Sequence, residues 1–182
     1  MNLIWSVLSV VALLVSVLLI GALISKKPPV FLEGFLSFIS RRAIHVTFVA
    51  SLLAMVGSLI YSDVIGYEPC KLCWYQRIFM YPLVLIFGIA LWKKHEWIKP
   101  YGLVMAIIGA LVAGFHYLGQ IGWNPLGLEC LAIGYSSSCS KNFVLEFGFI
   151  TIPMMALSAF ILIALSLAYS MKKDKEAIST TA

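Results

Sequence analysis

Long apolar runs broken by short charged segments organise this chain. Charge-free stretches cover residues 1–25, 43–62, 78–92, 100–128 and 147–171. The hydrocarbon core of a bilayer takes roughly 20 apolar residues in a helix. Four of the stretches meet that length, and the third does so if it begins near Leu72 and accommodates Arg77. In lipid only helices and closed barrels satisfy their own backbone groups, and continuous apolar runs exclude barrel strands, which would alternate. The pattern therefore predicts an all-α membrane protein with five transmembrane helices. Lys26-Lys27-Pro28-Pro29 separates the first helix from the other four, and 31–40 reads as an interfacial helix. No positive charge precedes the first run, so it reads as a retained helix rather than a cleaved signal. The charged tail after Met171 is expected to fray.

Composition agrees: 62% of residues are hydrophobic and 12% charged, too few charges for a soluble exterior. The net charge of +5 raises nucleic-acid binding as a possibility, but its distribution excludes it. Lys26, Lys27, Arg41 and Arg42 lie between spans one and two, Lys93, Lys94 and Lys99 between three and four, and Lys172, Lys173 and Lys175 after five. A chain crossing five times puts these segments on one side, and Lys and Arg concentrate on the cytoplasmic side. Only Lys71 and Lys141 fall in the opposite loops. The expected topology is an extracytoplasmic N-terminus and a cytoplasmic C-terminus.

Within the spans, Gly102, Ala106, Ala110 and Gly114 recur every fourth residue, a row of small residues where a neighbouring helix approaches closely. Pro82 and Pro153 fall inside spans three and five, each a candidate kink.

All four cysteines map to the extracytoplasmic side, which permits disulfides. Cys70 and Cys73 form Cys-Lys-Leu-Cys at the entrance to span three, and Cys130 and Cys139 lie between spans four and five. Three connectivities are open, and the local one, Cys70–Cys73 with Cys130–Cys139, is expected. Structural staples suit the second pair. They suit the first poorly, because a two-residue spacer closes a tiny loop and constrains little of the unfolded chain. A four-cysteine zinc site fits the first pair's spacing but not the eight residues inside the second, and no histidine stands near in sequence. Two redox disulfides in series fit both pairs. Cys73 at a helix N-terminus meets the positive end of the helix dipole, which favours thiolate. Arg77, one turn deeper on the same face, brings a fixed positive charge to a thiolate and to an anionic electron acceptor. Snorkelling or a pair with Glu68 is the plainer reading of Arg77. His116, at similar depth in span four, suits either a hydrogen bond to a quinone carbonyl or a simple interhelical bond. Trp74, Tyr75 and Trp123 read as interfacial anchors.

Cys70-Lys-Leu-Cys73-Trp-Tyr-Gln-Arg77, the later pair Cys130 and Cys139, and Gly148-Phe-Ile-Thr-Ile-Pro153 together resemble the disulfide bond formation protein B family, DsbB, and its Gram-positive relatives called BdbC. The resemblance covers roughly residues 41–169. It implies a four-helix transmembrane bundle over 41–171, with 1–40 as an extra N-terminal transmembrane helix and cytoplasmic loop, and 172–182 as a cytoplasmic tail. It implies a thiol:quinone oxidoreductase of the bacterial cell membrane that supports disulfide formation in exported proteins. Cys130 and Cys139 would take electrons from a thioredoxin-like extracytoplasmic thiol oxidase, Cys130 forming the mixed disulfide. Cys70 and Cys73 would relay them to ubiquinone or menaquinone, with Cys73 and Arg77 at the quinone and His116 nearby. The first span departs from the familiar four-helix form, and the segment between Cys130 and Cys139 is short. A vitamin K epoxide reductase-like enzyme usually carries its pairs in the opposite order. A small transporter or assembly protein with two structural disulfides is the reading from another class, but Arg77 is the one clear intramembrane charge, without the paired charges that mark a substrate path.

Overall fold

The computed structural model describes residues 2–25, 30–123 and 143–181. Cys130, Cys139, Lys141, the Lys26–Pro29 segment and the far end of the fourth apolar run lie outside the described residues. Among the described residues six α-helices follow in order: α1 (Asn2–Ile24), α2 (Val30–Arg41), α3 (Ala43–Leu59), α4 (Lys71–Lys93), α5 (Lys99–Gln120) and α6 (Ile152–Thr181). Among the described residues five helical segments are long and apolar enough to cross a membrane. Among the described residues no strand forms beyond an isolated bridge between Glu146 and Ile150.

Helices α3, α4, α5 and α6 pack in a ring, each against the next and α6 back against α3. Its core holds Met80, Leu83 and Phe87 of α4 with Phe160, Ile163 and Leu167 of α6. Small residues let α5 approach: an added Cβ at Gly109 would collide with the Phe160 ring, and one at Gly102 with Phe87. The buried stripe runs Gly102, Ala106, Gly109, Ala113 and His116, whereas the every-fourth-residue row drifts to Ala110 and Gly114. Four residues turn a helix by about 400°, so strict four-residue spacing leaves the contact face. His116 thus ends the packed face of α5.

The extra helix α1 lies along α6. Its buried positions include Ser6, Ser9, Ser16 and Ala22, small enough for close contact. The hydroxyls of Ser9 and Ser16 donate to the carbonyls of Trp5 (2.9 Å) and Ala12 (2.7 Å), so they are satisfied without water. Helix α2 turns Leu36 and Ile39 into a second cluster with Leu19 and Ala22 of α1 and Tyr169 of α6.

Two differences from the sequence reading have physical causes. The segment after Met171 stays helical, because Lys99 of α5 bonds Asp174 at 2.8 Å and Lys172 donates to the Leu23 carbonyl at 3.1 Å. Pro153 stands in the first turn of α6 rather than inside the span, where its missing N–H leaves no bond unmade. Pro82 does lie inside α4.

Candidate functional site

The site is built at one end of the bundle, where α3 ends and α4 begins. Helix α3 finishes in a π-helical turn, Ile60–Val64, and the chain reverses at Gly66, whose φ of +82° favours glycine. Pro69 disfavours helix for the residue before it. Helix α4 therefore starts at Cys70, its N-cap, with φ −72° and ψ 171°. The Cys73 amide donates to Cys70 Sγ at 3.4 Å, so the cysteine side chain performs the capping that a serine or aspartate usually does. Cys73 thus sits in the first turn of α4, as expected from the sequence.

Cys70 Sγ donates to Cys73 Sγ at 3.3 Å. Cys70 is buried, packed with Leu72, Val112 and Phe115, while Cys73 is partly exposed. The hydrogen bond to Cys73 and burial push the Cys70 thiol up to about 11, with His116 pulling the other way. The buried, proton-holding sulfur is Cys70, and the accessible sulfur that accepts its hydrogen bond is Cys73.

His116 reaches this pair from α5. Its Nε2 lies 3.6 Å from Cys70 Sγ and its Nδ1 3.0 Å from Gln76 Nε2. With the Gln76 amide donating to Nδ1, the ring proton is on Nε2 and points at Cys70. Gln76, Cys70 and His116 are all buried. Sequence reading passed over Gln76; the signal was its place three residues after Cys73, which puts it on the same helix face.

Among the described residues Arg77 bonds Ser58 rather than Glu68. Its Nε donates to Ser58 Oγ at 3.0 Å and its Nη2 to the Ser58 carbonyl at 3.1 Å, fastening α4 to α3. Its guanidinium lies over the Trp74 ring, 5.1 Å from the centroid. Trp74, Tyr75 and Trp123 are exposed at this end, as interfacial residues would be.

Cys70, Cys73, Gln76, Arg77 and His116 all face one cavity of about 650 Å³, within the range of small-molecule sites. Tyr81, a further turn along α4, lines it too, and its buried hydroxyl has no hydrogen-bond partner among the described residues. The side-chain amide oxygen Oε1 of Gln120, also buried and also in the lining, has none either. Cys70, Cys73 and His116 place their ligand atoms within 4.8 Å of one another, so they are the described residues able to hold a metal ion. The fold thus supplies the histidine that the sequence lacked beside the first pair. How this site stands to Cys130 and Cys139 lies outside the described residues.

The family model for the disulfide bond formation protein DsbB matches residues 40–170. The chain belongs to the DsbB family. Among its relatives, disulfide bond formation protein C of Bacillus subtilis (strain 168) is 48% identical over 120 residues, covering 66% of this chain and 86% of the relative. A probable disulfide formation protein C 1 of Bacillus anthracis is 44% identical, over 67% of this chain and 86% of its own. A probable disulfide formation protein of Oceanobacillus iheyensis is 49% identical, over 63% and 79%. No solved structure matches the chain. This DsbB-family chain is a multi-pass, all-α membrane protein, and its family assigns it to disulfide bond formation. Helix α1 and most of α2 stand outside the matched segment.

Proposed function

We propose that the protein is a membrane thiol:quinone oxidoreductase. It reoxidises a thioredoxin-like extracytoplasmic thiol oxidase and passes the electrons through two cysteine pairs to ubiquinone or menaquinone. The observation that carries this reading is the Cys70–Cys73 helix cap opening, beside Arg77, on a deep cavity within the bundle.

The chemistry balances as follows. Two thiols of the partner become a disulfide while the Cys130–Cys139 disulfide is reduced. Thiol–disulfide exchange, by thiolate attack through mixed disulfides, then re-forms the Cys130–Cys139 disulfide while the Cys70–Cys73 disulfide is reduced to the dithiol. Forming their disulfide releases two electrons and two protons. A quinone supplies the two-electron, two-proton acceptor, and its solubility in lipid accounts for an enzyme embedded in the membrane.

The lining suits such an acceptor. A quinone presents carbonyl oxygens that need donors, and the cavity offers Arg77 and the unpartnered Tyr81 hydroxyl. Cys73, the more accessible sulfur, faces the acceptor. Cys70 holds its proton until Cys73 reacts, and His116, oriented by Gln76, turns its Nε2–H to the Cys70 sulfur, where it favours the thiolate left when that proton departs. Arg77 is held by Ser58 at a fixed place in the wall, where its charge favours reduced, electron-rich oxygen.

Thiol trapping in cells with and without quinone tests the assignment. Reduced Cys70 and Cys73 are expected to accumulate only when quinone is absent. A redox state indifferent to quinone removes the reading.

A zinc centre on Cys70, Cys73 and His116 is the second reading, favoured by the three converging ligand atoms. It predicts one zinc per chain in purified protein and thiols that resist trapping until a chelator is added.

A further inference from the structure

The cavity is much longer than the thiol site needs. From His45 to Ser58 its α3 wall follows roughly 20 Å of helix, at 1.5 Å per residue. The polar groups gather mainly at the thiol end, with Arg42 and His45 at the far end; between them the lining is almost wholly apolar. One wall of that apolar stretch is α1, through Leu8, Val11, Ala12 and Val15. The opposite wall is α3, through Val49, Ala50, Leu53 and Ala54.

Helix α1 reaches this position by packing on α6, and it is tied to α3 at the thiol end. There the Trp5 ring lies against Gly57, 3.3 Å from where a Cβ would stand, and the Tyr61 hydroxyl donates to Asn2 Oδ1 at 3.4 Å. At the other end the Lys172 ammonium holds the Leu23 carbonyl. Between these ties α1 and α3 face each other across the cavity. Leu8 and Val11 on one rim and Val49 and Leu53 on the other are exposed as well as lining. The trough therefore opens sideways, along apolar rims at mid-span, where the surroundings are lipid.

We propose that α1 and α3 form a lateral trough that binds the isoprenoid tail of the quinone, so that the N-terminal helix sets the preference for long-tailed acceptors. This rests on the thiol:quinone reading and extends it. The occupant follows from the shape: a compact polar end at the cysteines, a long apolar channel and a side opening to the bilayer suit an amphiphile with a small head and an extended hydrocarbon chain. Ala12 and Ala50 set the width, because any larger side chain there projects into the trough.

The full chain in nanodiscs, supplied with a dithiol, is assayed with quinones of one headgroup bearing no tail, one isoprene unit or several. In the wild type, KM should fall as the tail lengthens. Ala12→Trp and Ala50→Trp should raise KM for the long-tailed quinone by about tenfold, the effect of losing roughly 55 Å² of apolar contact at 25 cal/mol per Å². They should leave the tail-less quinone unchanged, which also reports that the variants are folded. As a second measurement on unmodified protein, a photoreactive group at the tail's end should label the facing stretches of α1 and α3, around Val11 and Ala50. If tail length has no effect, or labelling falls only on α4 and α5, the trough proposal is overturned while quinone reduction by the wild type still upholds the proposed function. If the wild type reduces no quinone of any length, both fall. A phospholipid retained in the trough and undisplaced by long-tailed quinone also overturns the tail assignment.

Discussion

His116 holds its Nε2 at 3.6 Å from Cys70 Sγ, although the two residues are 46 positions apart in the chain. The contact joins the helix that carries Cys70 and Cys73 to the helix packed behind it. It gives the two sulfurs different surroundings: Cys70 is buried between Cys73 and an imidazole, and Cys73 faces the cavity.

Alkylation of the reduced protein should therefore be asymmetric. With the Cys70 thiol pushed up to about 11, first by its hydrogen bond to Cys73 and then by burial, iodoacetamide at pH 8 should modify Cys73 and spare Cys70. Modification of Cys70 should rise only in strongly alkaline solution. His116 lowers that value, so His116→Ala should move Cys70 alkylation to still higher pH. Peptide mass spectrometry across a pH series measures both, and equal rates at the two cysteines would contradict the asymmetry.

Arg77 is expected to act in acceptor binding. Arg77→Lys keeps the charge but loses the two-point bond to Ser58, and should raise the KM for quinone by about tenfold, as expected for losing charge-assisted hydrogen bonds. Ser58→Ala, which removes one neutral acceptor, should raise it only a few-fold. Both variants should still form the Cys70–Cys73 disulfide with a chemical oxidant. Unchanged quinone kinetics in Arg77→Lys would remove this role.

Packing at Gly109 is expected to be intolerant. Gly109→Val drives a side chain into the Phe160 ring and should cost about 1–3 kcal/mol, typical of overpacking. The thermal unfolding midpoint in detergent should fall, and adding Phe160→Leu should recover part of the loss. An unaltered midpoint would mean that α5 and α6 are not so closely apposed.

Accessibility labelling tests the topology. A membrane-impermeant thiol reagent applied to intact cells should reach Cys73 in the reduced protein. A cysteine introduced at Lys175 in a variant otherwise lacking cysteines should react only after permeabilisation. The reverse pattern would invert the orientation drawn from the basic loops.

Much of this was legible in the chain. Lipid leaves a backbone few options, so uninterrupted apolar runs locate helices by length alone, and four-residue spacing puts Arg77 one turn below Cys73. What escaped was set by tertiary contact. The pairing of Arg77 with Ser58 crosses 19 residues, and no local pattern marks which serine a partly buried arginine will find. His116 and Gln76 meet because α5 packs on α4 through its small-residue face. Gly109 and Ala113 lie on that face because helical rotation carries it away from Ala110 and Gly114. The seat of α1 was hidden because apolar residues surround that helix; only Ser6, Ser9 and Ser16 marked the side toward α6. Pro153 looked like a kink because the apolar run extends upstream of the helix, to Phe147.

The most direct measurement is a titration of the fully reduced protein with quinone under anaerobic conditions, following quinone absorbance and free thiols together. Stoichiometric loss of two thiols per quinone consumed, with Cys70 and Cys73 recovered as a disulfide, is the predicted result. Quinone left unreduced while Cys70 and Cys73 persist as thiols or hold a metal would contradict it.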